Sequence, residues 1–161
     1  MNIRYIKSSD YYILSPIINE WWGGRQVSGL LPKLFFDHFQ NSSFIIEQNR
    51  ETIGFIIGFM SQANKEEAYI HFVGIHPDYR KRNIGKRLYE EFYQAARKEN
   101  RSIVRAVTSP VNKGSIAYHT KMGFEIVKGD KEVEGVSVFE DYDGPGKDRV
   151  LFRKNLHTEE K

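Results

Sequence analysis

Residues 73–88 read Val-Gly-Ile-His-Pro-Asp-Tyr-Arg-Lys-Arg-Asn-Ile-Gly-Lys-Arg-Leu. An apolar strand pattern breaks at His76-Pro77, crosses a short basic loop and resumes as a helix near Asn83 or Ile84. A strand, a turn and a helix start in that order leave several backbone N–H groups unpaired and pointing one way. Such a cradle holds anions, and the helix macrodipole adds to it. Arg80, Lys81, Arg82, Lys86 and Arg87 crowd the same spot. Cations at the positive end of a helix are unfavourable unless an anion lies between them. The chemistry these residues offer is the grip of a phosphorylated ligand.

The stretch resembles the acyl-CoA-binding motif of the GNAT N-acetyltransferase superfamily, Arg/Gln-x-x-Gly-x-Gly/Ala. Arg80, Asn83 and Gly85 are the matching residues, and the strand ending Val73-Gly74-Ile75 precedes them. Asn83 departs from the usual Gly, but Asn is the residue other than Gly that best tolerates a left-handed backbone, so the turn is expected to survive. A second block, Asn112 to Phe124, resembles the family stretch Asn-x-x-Ala/Ser-x-x-x-Tyr-x-x-x-Gly-Phe. Asn112, Ser115, Gly123 and Phe124 match in register. His119 stands at the Tyr position, with Tyr118 just before it. The resemblance implies an N-acetyltransferase that moves an acetyl group from acetyl-CoA to a primary amine by direct attack in a ternary complex. It implies cofactor contacts from Val73, Gly74, Ile75, Arg80, Lys81, Arg82, Asn83, Ile84, Gly85, Lys86, Asn112 and Ser115. A non-enzymatic CoA-binding module of the same fold is the alternative, and it fits the departures at Asn83 and His119.

Amine attack on a thioester makes definite demands. An alkyl amine titrates near 10.4, so it must lose a proton first. Charge developing on the carbonyl oxygen needs a donor, most simply a backbone N–H near Ile75. The leaving thiol titrates near 8.5, so an acid beside it gives a modest gain. His119 or Tyr118 can be that acid. They are about 100° apart on a helix, so both cannot face the sulfur equally, and register favours His119. His71 is the best candidate base, on a face expected to hold Tyr69 and Val73, and it resembles a histidine of the arylalkylamine acetyltransferases. A plain hydrogen-bonded strand histidine is the competing assignment. Tyr69 and Glu67 are weaker alternatives, and His38, His76 and His157 look structural or exposed.

For the acceptor, the family uses the loop between the first two helices and the loop before the last strand. Here these are residues 21–27 and 128–147. Trp21 and Trp22 offer aromatic faces for a cation or an apolar group, and Asp141 and Asp143 could attract a cationic amine. A small-molecule amine is the expected partner.

The elements that must position these groups follow from periodicity. Strands are expected at 3–6, 43–47, 52–61, 68–75, 102–108, 124–127 and 148–154, with a hairpin at Asn49-Arg50-Glu51 and a bulge at Gly74. Helices are expected over 10–20 (kinked or late at Pro16), 32–39, 83–98 and 112–122. The segment 128–147 is a long connection in which 133–139 could add a strand, and 157–161 reads as a frayed tail. Strand, helix, strand over 68–108 is a right-handed βαβ unit with parallel strands. The fold class is α/β with a mixed sheet. The resemblance makes it a GNAT fold: a central, mostly antiparallel sheet with one splayed parallel strand pair, flanked by helices.

The 161 residues favour one domain, and 40% hydrophobic content suffices for a core. With 24 basic against 21 acidic residues the net charge is +3, too mild to demand nucleic acid. The basic residues mark a helix start and do not line a long stripe. No apolar run is long enough to span a membrane, and the N-terminus reads as a strand rather than a signal peptide. Zero cysteines exclude disulfides and Cys nucleophiles, and no His/Asp/Glu spacing suggests a metal site. A cytoplasmic home is expected, with a homodimer left open.

Overall fold

The computed structural model describes residues 1–156. The expected frayed tail, with His157, lies outside the described residues. In chain order the elements are β1 (Asn2–Tyr5), α1 (Asp10–Leu14), α2 (Ile18–Trp21), α3 (Leu34–His38), β2 (Phe44–Gln48), β3 (Glu51–Met60), β4 (Glu67–Ile75), α4 (Ile84–Lys98), β5 (Ile103–Thr108), α5 (Lys113–Lys121), β6 (Glu125–Ile126), β7 (Lys131–Val133), β8 (Val136–Val138) and β9 (Val150–Asn155). Seven strands form one sheet in the order β1-β2-β3-β4-β5-β9-β6, and β7-β8 is a separate hairpin. Every pairing is antiparallel except β4 with β5. Two parallel neighbours need a crossover, and α4 supplies it.

β3 is buried without interruption from Thr52 to Gly58, as a central strand covered on both faces must be. One layer packs Leu88, Phe92 and Tyr93 of α4 on Ile56, Ile70 and Val104. The opposite layer packs Leu14, Ile18, Trp21 and Phe36 on Ile45, Phe55 and Ile57. The β2–β3 hairpin turns at Asn49 and Arg50, both at positive φ, in the twist that suits a two-residue loop. The helix expected over 10–20 is broken between α1 and α2, where Pro16 cannot continue it.

Three expectations change. The bulge lies at His71, not Gly74: Ile57 pairs with Phe72 and Gly58 with Ile70, leaving His71 as the extra residue, while Gly74 pairs regularly with Phe55. Gly74 is there for close approach, because a Cβ on it would meet the rings of Phe55 and Trp22 at 2.5 and 2.8 Å. The bulge also shifts the alternation. His71 and Phe72 both lie on the face away from α4, and Val73 packs on the α4 side. His71 therefore does not share a face with Val73. Last, 133–139 is not one strand: it falls within the β7–β8 hairpin, which turns at Glu134-Gly135 with both residues at positive φ.

Candidate active site

β4 and β5 start as partners and then part. Pairing covers only Glu67 with Ile103, Ala68 with Val104 and Tyr69 with Arg105. Among the described residues, no strand pairs with the β5-facing edge of β4 from Ile70 to Ile75. The His76 amide donates to Ile53 on β3. Alternation then turns the Ile75 and Val73 amides to the open gap. Those two amides face the stretch where β4 has left β5.

The gap ends at the mouth of α4. His76 Nδ1 accepts from the Asp78 amide at 3.0 Å and starts a short 3-10 turn over Pro77–Tyr79. Lys81 and Asn83 then take left-handed backbone, at φ 67° and 61°. Asn83 thus adopts the conformation the motif requires. Among the described residues, the amides of Asn83, Ile84, Gly85 and Lys86 find no backbone acceptor. A Cβ on Gly85 would lie 2.7 Å from the Tyr118 hydroxyl, so only glycine lets that phenol reach the helix mouth. Lys81, Lys86 and Arg87 are exposed around it. Arg82 covers the Tyr79 ring at 5.2 Å. The Arg80 guanidinium is committed elsewhere: it donates to the carbonyls of Trp21 and Ile75 and ties α2 to the end of β4. Asn112 caps α5, its Oδ1 accepting from the Ser115 amide at 3.1 Å.

The two acid candidates separate sharply. His119 is buried, stacked on Phe152 at 4.5 Å. Its Nδ1 lies 2.8 Å from the Ser115 carbonyl, which only accepts, so Nδ1 carries the proton. Nε2 then accepts from the Tyr89 hydroxyl at 3.0 Å. Burial holds this ring below its ordinary 6.5 and keeps it neutral. Tyr118 is 39% exposed, with its hydroxyl at Gly85. Burial of part of its ring raises the phenol above 10.0, so it stays protonated at neutral pH. Register favours His119, but the packing buries His119 and leaves the Tyr118 hydroxyl exposed beside Gly85 at the mouth of α4.

His71 stacks on Phe35 at 4.3 Å, and its Nε2 donates to the Leu30 carbonyl at 2.6 Å. Nδ1 is left with the lone pair. Trp21 is buried in the core and Trp22 lies across Gly74. Asp143 pairs with Arg149 at 2.8 Å, and Asp141 Oδ1 accepts from the Gly146 amide. Both acids thus brace the 128–147 segment, together with the Lys131–Asp148 pair.

On the sheet face away from α4 a cavity of about 350 Å³ opens where β4 and β5 begin to part. Tyr69 and Arg105, the last paired residues, line it with Glu67, Phe59, Leu151 and Tyr142. Arg105 Nη1 lies 3.3 Å from Glu67 Oε2. Loss of solvation, with the fields of Tyr142 and Asp143, pushes the Tyr69 phenol up to about 12. Sequence reasoning named Glu67 and Tyr69 only as spare bases and missed Arg105 and Tyr142. The signal was slight: opposite charges at 67 and 105 become neighbours only once the register is known.

Residues 11–124 match the family model described as the acetyltransferase (GNAT) family. A curated relative, an uncharacterized N-acetyltransferase of Methanocaldococcus jannaschii, is 34% identical over 97 residues, 56% of this chain and 43% of the relative. The match spans less than half of that relative's length. Among solved structures, Ard1 from Thermoplasma volcanium superposes with a TM-score of 0.74 at 19% identity, covering 96% of this chain and 97% of that one. Naa20 from Chaetomium thermophilum, solved with a bisubstrate analogue, gives 0.75 at 18% identity, covering 100% and 90%. These structures share the fold, and the family match runs through both sequence motifs, residues 73–88 and 112–124: the chain belongs to the GNAT acetyltransferase family.

Proposed function

We propose that the protein is an N-acetyltransferase that uses acetyl-CoA to acylate a primary amine in a ternary complex. One observation carries this: β4 leaves β5 after Tyr69, and the open edge leads to the unpaired amides at the start of α4. The residues present fit coenzyme A. Amides of Asn83, Ile84, Gly85 and Lys86, with the exposed cations beside them, suit a pyrophosphate. The Val73 and Ile75 amides suit an extended amide-bearing arm. Asn112 and Ser115, at the start of α5, and Arg80, bonded to the Trp21 and Ile75 carbonyls, complete the proposed cofactor site.

When bound, acetyl-CoA supplies a thioester carbon for the acceptor nitrogen: an N–C bond forms, the C–S bond breaks and the thiolate leaves with the bonding pair. His71 Nδ1, through a water, takes the proton that the amine must lose. A gap-facing amide of β4 stabilises charge on the carbonyl oxygen. The Tyr118 hydroxyl gives a proton to the leaving sulfur, and His119 positions Tyr89 behind it. Trp22 walls the cleft, and the 128–147 segment closes its other side.

The test is thiol release from acetyl-CoA over a panel of amines, with binding measured by calorimetry. Turnover on at least one amine is expected. A protein that binds acetyl-CoA and acylates nothing is a binding module.

A further inference from the structure

Resting on the acetyltransferase assignment, we propose that the acceptor is a diamino acid, held by its α-amino-acid end in the cavity opposite α4 and acylated on its distal amine. Glu67 and Arg105 face each other in that cavity at 3.3 Å, longer than a good charge-assisted bond. Neither group is saturated. Arg105 Nε donates to the Phe152 carbonyl at 3.2 Å, and Nη2 has no acceptor among the described residues. Glu67 Oε1 receives only a 3.4 Å contact from Asn64. A guanidinium and a carboxylate side by side, each with unused capacity, match a ligand that carries a carboxylate next to an ammonium. Arg105 takes the carboxylate in its planar fork, and Glu67 takes the α-ammonium.

Ser61 and Asn64 make the rim by Glu67 polar, while Phe59, Val107, Leu151 and the ring of Tyr142 give apolar wall. That wall suits methylenes. The cavity is also oriented: Glu67, Tyr69 and Arg105 lie where the strands are still paired, and Val107 lies beyond the parting. Two residues of strand separate Arg105 from Val107, about 6.6 Å, the reach of a short methylene chain. A ligand anchored at the ion pair thus extends its second amine along β5 toward Val107 and the gap. There that nitrogen forms the N–C bond, its proton leaves to His71 through water, and the thiolate departs from the acyl carbon.

The experiment compares kcat/KM for lysine, ornithine and 2,4-diaminobutyrate with cadaverine and putrescine, which lack the carboxylate, with 6-aminohexanoate, which lacks the α-amine, and with a short peptide. At least one diamino acid is expected to exceed every truncated amine by about tenfold or more, the value of one charged hydrogen bond. Arg105→Gln should erase the preference over the diamines, and Glu67→Gln the preference over 6-aminohexanoate. A merely structural ion pair would lower all substrates together. Because Arg105 also holds Phe152, Glu67→Gln carries the test if Arg105→Gln does not fold. Equal rates on diamines and diamino acids, or preference for the peptide, overturn this inference and leave the acetyltransferase standing. Acetyl-CoA binding with no amine acylated overturns both.

Discussion

The two faces of the β4–β5 gap are built from different materials. On the α4 face the candidate donor site is main chain: four amides at a helix mouth, an Asn in left-handed backbone and a glycine that lets a phenol approach. On the opposite face the cavity is side chain: Glu67, Tyr69, Arg105 and Tyr142, brought from β4, β5 and the 128–147 segment. A backbone site demands a fixed local conformation and tolerates few residues. A side-chain site demands only that distant residues meet. The first therefore keeps its ligand class as long as its backbone is kept, while the second can change its ligand by single side-chain substitutions.

The comparison breaks first at Gly85. Gly85→Trp should abolish acetyl-CoA binding in calorimetry while circular dichroism stays native, since even a Cβ there meets the Tyr118 hydroxyl. Unchanged affinity would remove the helix mouth from the donor site. His71→Ala should cut kcat by about 10²-fold or more with acetyl-CoA affinity intact, the range of a lost general base. A loss confined to stability would make His71 a brace for Leu30 and Phe35. Tyr118→Phe should lower kcat by about tenfold, more than His119→Phe does. The reverse ranking would return the acid to His119.

The smallest effect is a pH slope. His119 is neutral in the fold and held below 6.5 by burial. Above 6.5 the ring is neutral in both states. As pH falls below 6.5 the unfolded chain gains a proton that the folded chain resists, so stability drops from there toward the lower folded value. His119→Phe should flatten that acid limb in denaturant titrations, and an unchanged limb would assign it to other groups.

The fold was largely legible because it rests on local signals. β3 is an unbroken apolar run, α4 shows helical spacing, and Pro16 interrupts a helix where Pro must. The positive φ of Asn83 was legible only through the motif resemblance, which put a turn there that Asn tolerates best after Gly. What failed were consequences of register. A glycine in a strand suggests a bulge, yet Gly74 sits in regular pairing under two rings, and the extra residue is His71. That single residue turned Val73 to the other face.

The sequence by itself determined the donor half of this protein: the order of strand, turn and helix, and the anion-binding amides that such an order exposes, because backbone geometry over a dozen residues is a local property. Only the tertiary structure decided the rest. Which of Tyr118 and His119 is buried and which stays exposed beside Gly85 depends on how α5 rolls against α4. Whether Glu67 and Arg105 form one site depends on the pairing of strands 38 residues apart. Contacts of that kind are fixed by packing, and no local pattern of residues encodes them.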